Sequence, residues 1–250
     1  MVLKVGQTAP DFILKNQLGG ETRLSDYRGL ANVALAFFPL AWTPVWTNQI
    51  PSYQAALDRF DGLQAQVLGL SVDSIPSLVA WADSLGGITY PLLSDFYPHG
   101  EVAQKFGVLR EDGRTERAIF IIDKAGIIRY VDVKDYIDDQ PANEVLFDIL
   151  EGLEPQAAAA YEASMPPPAP EPTAGIVLYC TPWCGACRRA RAYLDDRNIE
   201  YSEVNISKDR AAASRVRGWA NGNETTPTFN INGTVVVDFD KDRLDEVFGV

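Results

Sequence analysis

The chain has 250 residues, 46% of them hydrophobic and 22% charged, with a formal net charge of −12; this is a globular composition, long enough for one large or two smaller packed cores. The acidic balance excludes a nucleic-acid backbone or an anionic membrane surface as partner, since both need clustered Lys and Arg. Neither an export-type apolar leader nor a run near the roughly 18 apolar residues of a membrane span is visible, so a soluble, cytoplasmic protein is expected.

Residues 32–38 and 66–72 are short, continuous apolar runs, the pattern of strands buried on both faces. Between them, residues 46–60 have helical length and spacing, and residues 75–85 form a second predicted helix with Pro76 in its first turn. Residues 118–123 and 127–133 read as a hairpin closed by Lys124-Ala-Gly126, and residues 141–150 as an amphipathic helix. Ala and Pro then take over, so residues 154–173 are expected to be a linker whose second half is a stiff polyproline spacer. It separates a domain over 1–153 from one over 174–250.

In the second domain residues 176–179, 200–204, 228–231 and 234–237 are predicted strands, the last two joined by the hairpin signal Asn232-Gly233. Helices are expected over 184–197, 209–219 and 240–248. The order β-α-β-α-β-β-α is that of the thioredoxin-like fold. The expected class is therefore α/β, with two thioredoxin-like domains, each a three-layer sandwich, joined by the Pro/Ala-rich linker.

All three cysteines lie in Cys180-Thr-Pro-Trp-Cys184-Gly-Ala-Cys187, at the end of a predicted strand and the start of a predicted helix. An odd, clustered set is no disulfide framework and points to redox chemistry or a metal. At a helix N-terminus, unpaired N–H groups and the dipole favour a thiolate, so Cys184 is the expected attacking thiol, with a lowered pKa, and Cys187 the resolving one. Arg188, Arg189 and Arg191 add positive potential. Thr226-Pro227 precedes a strand, and a cis proline facing the pair would fix the edge that receives a mixed disulfide. Arg188, Thr226 and Pro227 are thus the expected thiol-binding residues. Zinc is not expected, because no second Cys pair exists and the single histidine, His99, lies in the other domain. Cys180 reads as a small apolar residue ending the strand, with a regulatory thiol as the lesser reading.

These motifs, with Thr225-Thr-Pro-Thr-Phe229 some forty residues on, resemble glutaredoxin, close to its mycoredoxin-like branch. The resemblance implies a thiol–disulfide oxidoreductase with no bound cofactor, using glutathione or another low-molecular-weight thiol as reductant. Where many glutaredoxins hold glutathione with a Gly-Gly-Asp turn, this chain reads Val235-Val-Val-Asp238-Phe-Asp240, which leaves the small thiol open.

In the first domain, Pro39-Leu-Ala-Trp-Thr43-Pro-Val-Trp46 follows a predicted strand and opens a predicted helix. It resembles the peroxiredoxin signature Pro-x-x-x-Thr-x-x-Cys of the one-cysteine, bacterial alkyl-hydroperoxide type. The resemblance implies that Thr43 hydrogen-bonds a peroxide oxygen, Pro39 shields the pocket, and Arg117 favours a thiolate and polarises the O–O bond. At the peroxidatic position stands Trp46, which can neither ionise to a thiolate nor form a sulfenic acid. Trp42 lies one helical turn earlier, so an aromatic contact with Trp46 is possible if the helix starts early enough. His99 and Asp73 read as loop or cap residues. Retained Pro39, Thr43 and Arg117 favour an altered version of an otherwise complete site over an old non-enzyme.

Together the resemblances imply a fusion in which a tethered glutaredoxin reduces an oxidised peroxiredoxin at high effective concentration, here with the peroxide half disabled. A peroxiredoxin-fold interaction domain carrying a disulfide reductase, and an iron–sulfur carrier binding through Cys184, are the competing readings. Peroxide and small thiols are the expected substrates, nucleic acid and membrane are not expected partners, and a homo-oligomer is the expected assembly.

Overall fold

The computed structural model describes residues 1–43, 46–134, 143–164, 175–181, 184–220 and 224–249. It divides into two compact units, Met1–Met165 and Pro166–Val250.

In the first unit the apolar run at 32–38 becomes β3 (Asn32–Phe37), buried at every position. Its neighbours are β4 (Ala65–Ser71), parallel to it, and β6 (Arg117–Ile122), antiparallel. With β5 (Leu92–Ser94) and β7 (Ile128–Lys134) they form a sheet ordered β5-β4-β3-β6-β7. A small hairpin, β1 (Ile13–Lys15) with β2 (Glu21–Arg23), precedes it.

Because side chains alternate along a strand, both faces of β3 carry core. Ala34 and Ala36 pack with Ile119 and Ile121 under α1 (Trp46–Ala55), α2 (Leu57–Gly62), α3 (Ile75–Ser84) and α5 (Asn143–Leu153). Val33, Leu35 and Phe37 pack on the other face, against α4 (Glu101–Phe106) and the N-terminal segment. This is a three-layer α/β sandwich.

Two sequence expectations change here. The helix expected over 46–60 is divided at Ala56, whose φ of −98° and ψ of 10° leave the helical region; its N–H bonds one residue short, to the Tyr53 carbonyl. The segment expected to be linker from residue 154 begins instead with α6 (Pro155–Ser164), a helix of the first unit. Proline is tolerated in a first helical turn and four alanines favour helix, so the composition read as spacer was a helix former. Its Tyr161 ring lies over Gly62, where a Cβ would stand 2.2 Å from it. The expected polyproline half and residues 141–142 lie outside the described residues. The short elements β1, β2, β5 and α4 had no periodicity long enough to be read.

The second unit repeats the plan. β8 (Ile176–Cys180) pairs in parallel with β9 (Ser202–Asn205) and antiparallel with β10 (Thr228–Ile231), which pairs with β11 (Thr234–Val237). The turn between the last two places Asn232 and Gly233 at φ 51° and 95°, the left-handed conformation this dipeptide accommodates. Leu178 and Cys180 face α7 (Gly185–Asp195) and α9 (Lys241–Phe248), while Val177 and Tyr179 face α8 (Arg210–Trp219). Asp209 and Asp240 cap α8 and α9 by accepting the N–H of Ala212 and Arg243.

Candidate active site

In the first unit, β3 delivers the chain to Pro39 at one end of the sheet. The loop that follows is held by Asp73, whose carboxylate accepts the Ala41 N–H at 2.7 Å and the Ser71 hydroxyl at 2.8 Å. The Thr43 hydroxyl donates to the Leu40 carbonyl at 2.8 Å. Asp73, read from the sequence as a cap or turn residue, is thus what ties this loop to β4.

α1 begins at Trp46. The Trp46 side chain, and with it the expected contact with Trp42, lies outside the described residues. Trp42 itself is not helical: its φ is +69° and it is exposed, because α1 starts four residues later.

Arg117 opens β6, next to the Phe37–Ala118 pair, and is buried. It alternates with Ala118 onto the face that carries Ile119 and α1. Pro39, Thr43, the start of α1 and Arg117 therefore gather at one end of β3. Burial pushes the Tyr53 hydroxyl well above the ordinary tyrosine range, with Asp132 adding to the shift and Arg117 opposing it. Sequence reasoning missed Gln49, wholly buried one turn into α1. Its amide donates to the Tyr53 hydroxyl at 2.7 Å, and its Oε1 has no hydrogen-bond partner among the described residues. His99 is a loop residue, its Nε2 2.7 Å from the Gly113 carbonyl oxygen.

In the second unit, Cys184 is the N-cap of α7. Its sulfur accepts the Cys187 N–H at 3.0 Å, and its thiol donates to the Thr226 carbonyl at 3.2 Å. The Thr226–Pro227 bond is cis, and the Pro227 carbonyl accepts the Asp238 N–H at 2.9 Å. Cys184 is half-buried, Cys187 and Cys180 are wholly buried, and all three are free thiols. The sequence-read pair and the proline edge therefore meet in one place.

The expected lowering of the Cys184 pKa is not what the structure gives. The Cys187 side chain, followed by burial, pushes Cys184 far up, while the capping N–H works the other way. Cys187 is pushed up to about 12, first by its hydrogen bond with Cys180, with burial acting in the same direction. Cys184 and Cys187 therefore hold their protons as a pair. The arginines contribute less than their spacing promised. Arg191 is held by Glu203 at 2.7 and 2.8 Å, and Arg189 lies over the Phe239 ring. Arg188 is exposed, its guanidinium near Gly185 at the helix start.

Residues 5–131 match the AhpC/TSA family and residues 176–236 the glutaredoxin family. Alkyl hydroperoxide reductase E of Mycobacterium tuberculosis is 42% identical over 134 residues, which are 53% of this chain and 87% of that protein. A chloroplastic 2-cysteine peroxiredoxin of Chattonella marina var. antiqua is 39% identical over 155 residues, 58% of this chain and 78% of that protein. The reduced 2-Cys peroxiredoxin of Plasmodium vivax superposes with a TM-score of 0.55 at 29% identity, covering 62% of this chain and 98% of that one. With the family match spanning half of its length and a glutaredoxin domain behind it, the chain belongs to the AhpC/TSA family of oxidoreductases, as a peroxiredoxin–glutaredoxin fusion.

Proposed function

We propose that this chain is a thiol–disulfide oxidoreductase working through Cys184 and Cys187, fused to a peroxiredoxin domain that Trp46 prevents from cleaving peroxides. The observation that carries the reading is the Cys184 sulfur set between the Cys187 N–H and the Thr226 carbonyl. No cysteine precedes residue 180, so a sulfenic acid has nowhere to form in the first domain.

In the reaction, the Cys184 thiolate attacks one sulfur of a small or protein-bound disulfide. A mixed disulfide forms and the other sulfur leaves as a thiolate. The Cys187 N–H steadies the attacking anion, because Cys184 caps the helix. The Cys187 thiolate then attacks the Cys184 sulfur, releasing the second thiol and leaving a Cys184–Cys187 disulfide. Two molecules of a low-molecular-weight thiol such as glutathione restore the pair by successive exchange and leave as their own disulfide. Arg188, Thr226 and Pro227 bound the groove for that thiol.

With a cysteine at position 46, Thr43, Pro39 and Arg117 would surround a peroxidatic thiolate, and the second domain would reduce its mixed disulfide. The full chain is proposed to be cytoplasmic and a homo-oligomer. The test is reduction of hydroxyethyl disulfide by the full chain with glutathione. Activity is expected, and Cys184→Ser should abolish it; a Cys184→Ser protein as active as the parent would refute the reading.

A further inference from the structure

Cys180 is left without a role by the exchange just described. It closes β8 with its side chain on the face that packs on α7, and it is wholly buried. Cys187, also wholly buried, sits in the first turn of α7 in the same core cluster as Cys180, and its N–H donates to the Cys184 sulfur at 3.0 Å. Cys184 alone is partly open to solvent. The three thiols therefore form a file running inward, with Cys187 in the middle.

We propose that Cys180 is a second resolving thiol, which takes the Cys187 sulfur out of the Cys184–Cys187 disulfide to leave a buried Cys180–Cys187 disulfide and a free Cys184. The inference rests on Cys184–Cys187 exchange as proposed above. In the step, Cys180 loses its proton and attacks the Cys187 sulfur. The Cys180–Cys187 bond forms as the Cys187–Cys184 bond breaks, and the electron pair leaves on Cys184, which takes up the proton. No electron enters or leaves, so the two-electron oxidation is kept and only moved.

Two features favour this direction. The Cys187 N–H, 3.0 Å from the Cys184 sulfur, is placed to receive the electron pair as the Cys187–Cys184 bond breaks, and drawing the Cys187 sulfur into the new disulfide removes the thiol that opposes a Cys184 anion. Burial leaves Cys180 reachable only from within, on the face of β8 that packs against Cys187 and α7. The product hides the oxidised pair from external thiols until Cys184 reopens it.

The test uses the full chain, oxidised with a stoichiometric small disulfide, quenched in acid, alkylated and cleaved with chymotrypsin under non-reducing conditions. Cleavage after Tyr179 and Trp183 separates Cys180 from the peptide that holds Cys184 and Cys187. The expected result is a cross-linked peptide pair joining Cys180 to Cys187, with the alkyl group on Cys184. Cys180→Ala should lose that species and carry only the Cys184–Cys187 disulfide within one peptide. If the unaltered chain forms Cys184–Cys187 while Cys180 is always alkylated, the inference is overturned and the exchange reading stands. If no disulfide involving Cys184 or Cys187 forms at all, both are overturned.

Discussion

The Cys184 sulfur and the Cys187 backbone nitrogen lie 3.0 Å apart, while the Cys187 side chain is the leading cause that raises the Cys184 pKa. One residue thus both stabilises and opposes the thiolate, through different atoms. Cys187→Ala removes the opposing sulfur and keeps the N–H. Alkylation of Cys184 by iodoacetamide should then rise at lower pH in Cys187→Ala than in the parent. Superimposable pH profiles would show that Cys187 does not set the Cys184 thiol.

Reduction state should also change how stability depends on pH. Cys187 is raised from 9.0 to about 12, so the folded dithiol keeps a proton that the unfolded chain gives up. The unfolded state binds fewer protons in that window, and stability falls as pH rises. The contribution is fully present below pH 9.0 and is lost toward about 12. A chain oxidised at its cysteines lacks this titration. Thermal unfolding of the second domain should therefore lose stability more steeply above pH 9 when reduced than when oxidised; parallel curves would contradict the assignment.

Asp73 is expected to matter as an acceptor that holds the loop between Pro39 and Thr43. Asp73→Ala leaves the Ala41 N–H and Ser71 hydroxyl without their carboxylate, at a cost of about 2 kcal/mol. Urea unfolding of the first domain measures it, and Asp73→Asn should lose less. A loss below about 0.5 kcal/mol, the scale of a neutral surface change, would refute the role.

Gly62 tests whether the segment after residue 154 belongs to the first domain. Its Cβ would stand 2.2 Å from the Tyr161 ring of α6. Gly62→Ala should destabilise by about 1–3 kcal/mol through overpacking, and Tyr161→Gly in the same chain should relieve much of it. Unchanged stability in Gly62→Ala would mean that α6 does not pack there.

The sandwiches were legible because their central strands are unbroken apolar runs: Asn32–Phe37, Ala65–Ser71 and Ile176–Cys180 can only be buried on both faces. The thiol site was legible because a CxxC at a strand–helix junction and a distant Thr-Pro each mark a backbone position. The charge state was not. Arg191 faces Glu203 on a neighbouring strand, and Cys180 reaches Cys187 across the strand–helix turn, contacts that spacing alone does not fix. Gln49 escaped for the same reason: an amide one turn into a helix reads as surface until Tyr53 and the core close over it. The first part of the linker misled because alanine-rich composition suits a spacer and a helix alike.

The central claim is that exchange at Cys184 and Cys187 is intact while Trp46 stops peroxide cleavage. It is tested most directly by following hydrogen peroxide consumption by the full chain with a thiol reductant, beside Trp46→Cys and Trp46→Cys/Cys184→Ser. The parent should reduce small disulfides and leave peroxide essentially unconsumed, Trp46→Cys should turn peroxide over, and the double variant should stall after one equivalent. Catalytic peroxide consumption by the parent, or a folded Trp46→Cys protein inert to peroxide, would contradict it.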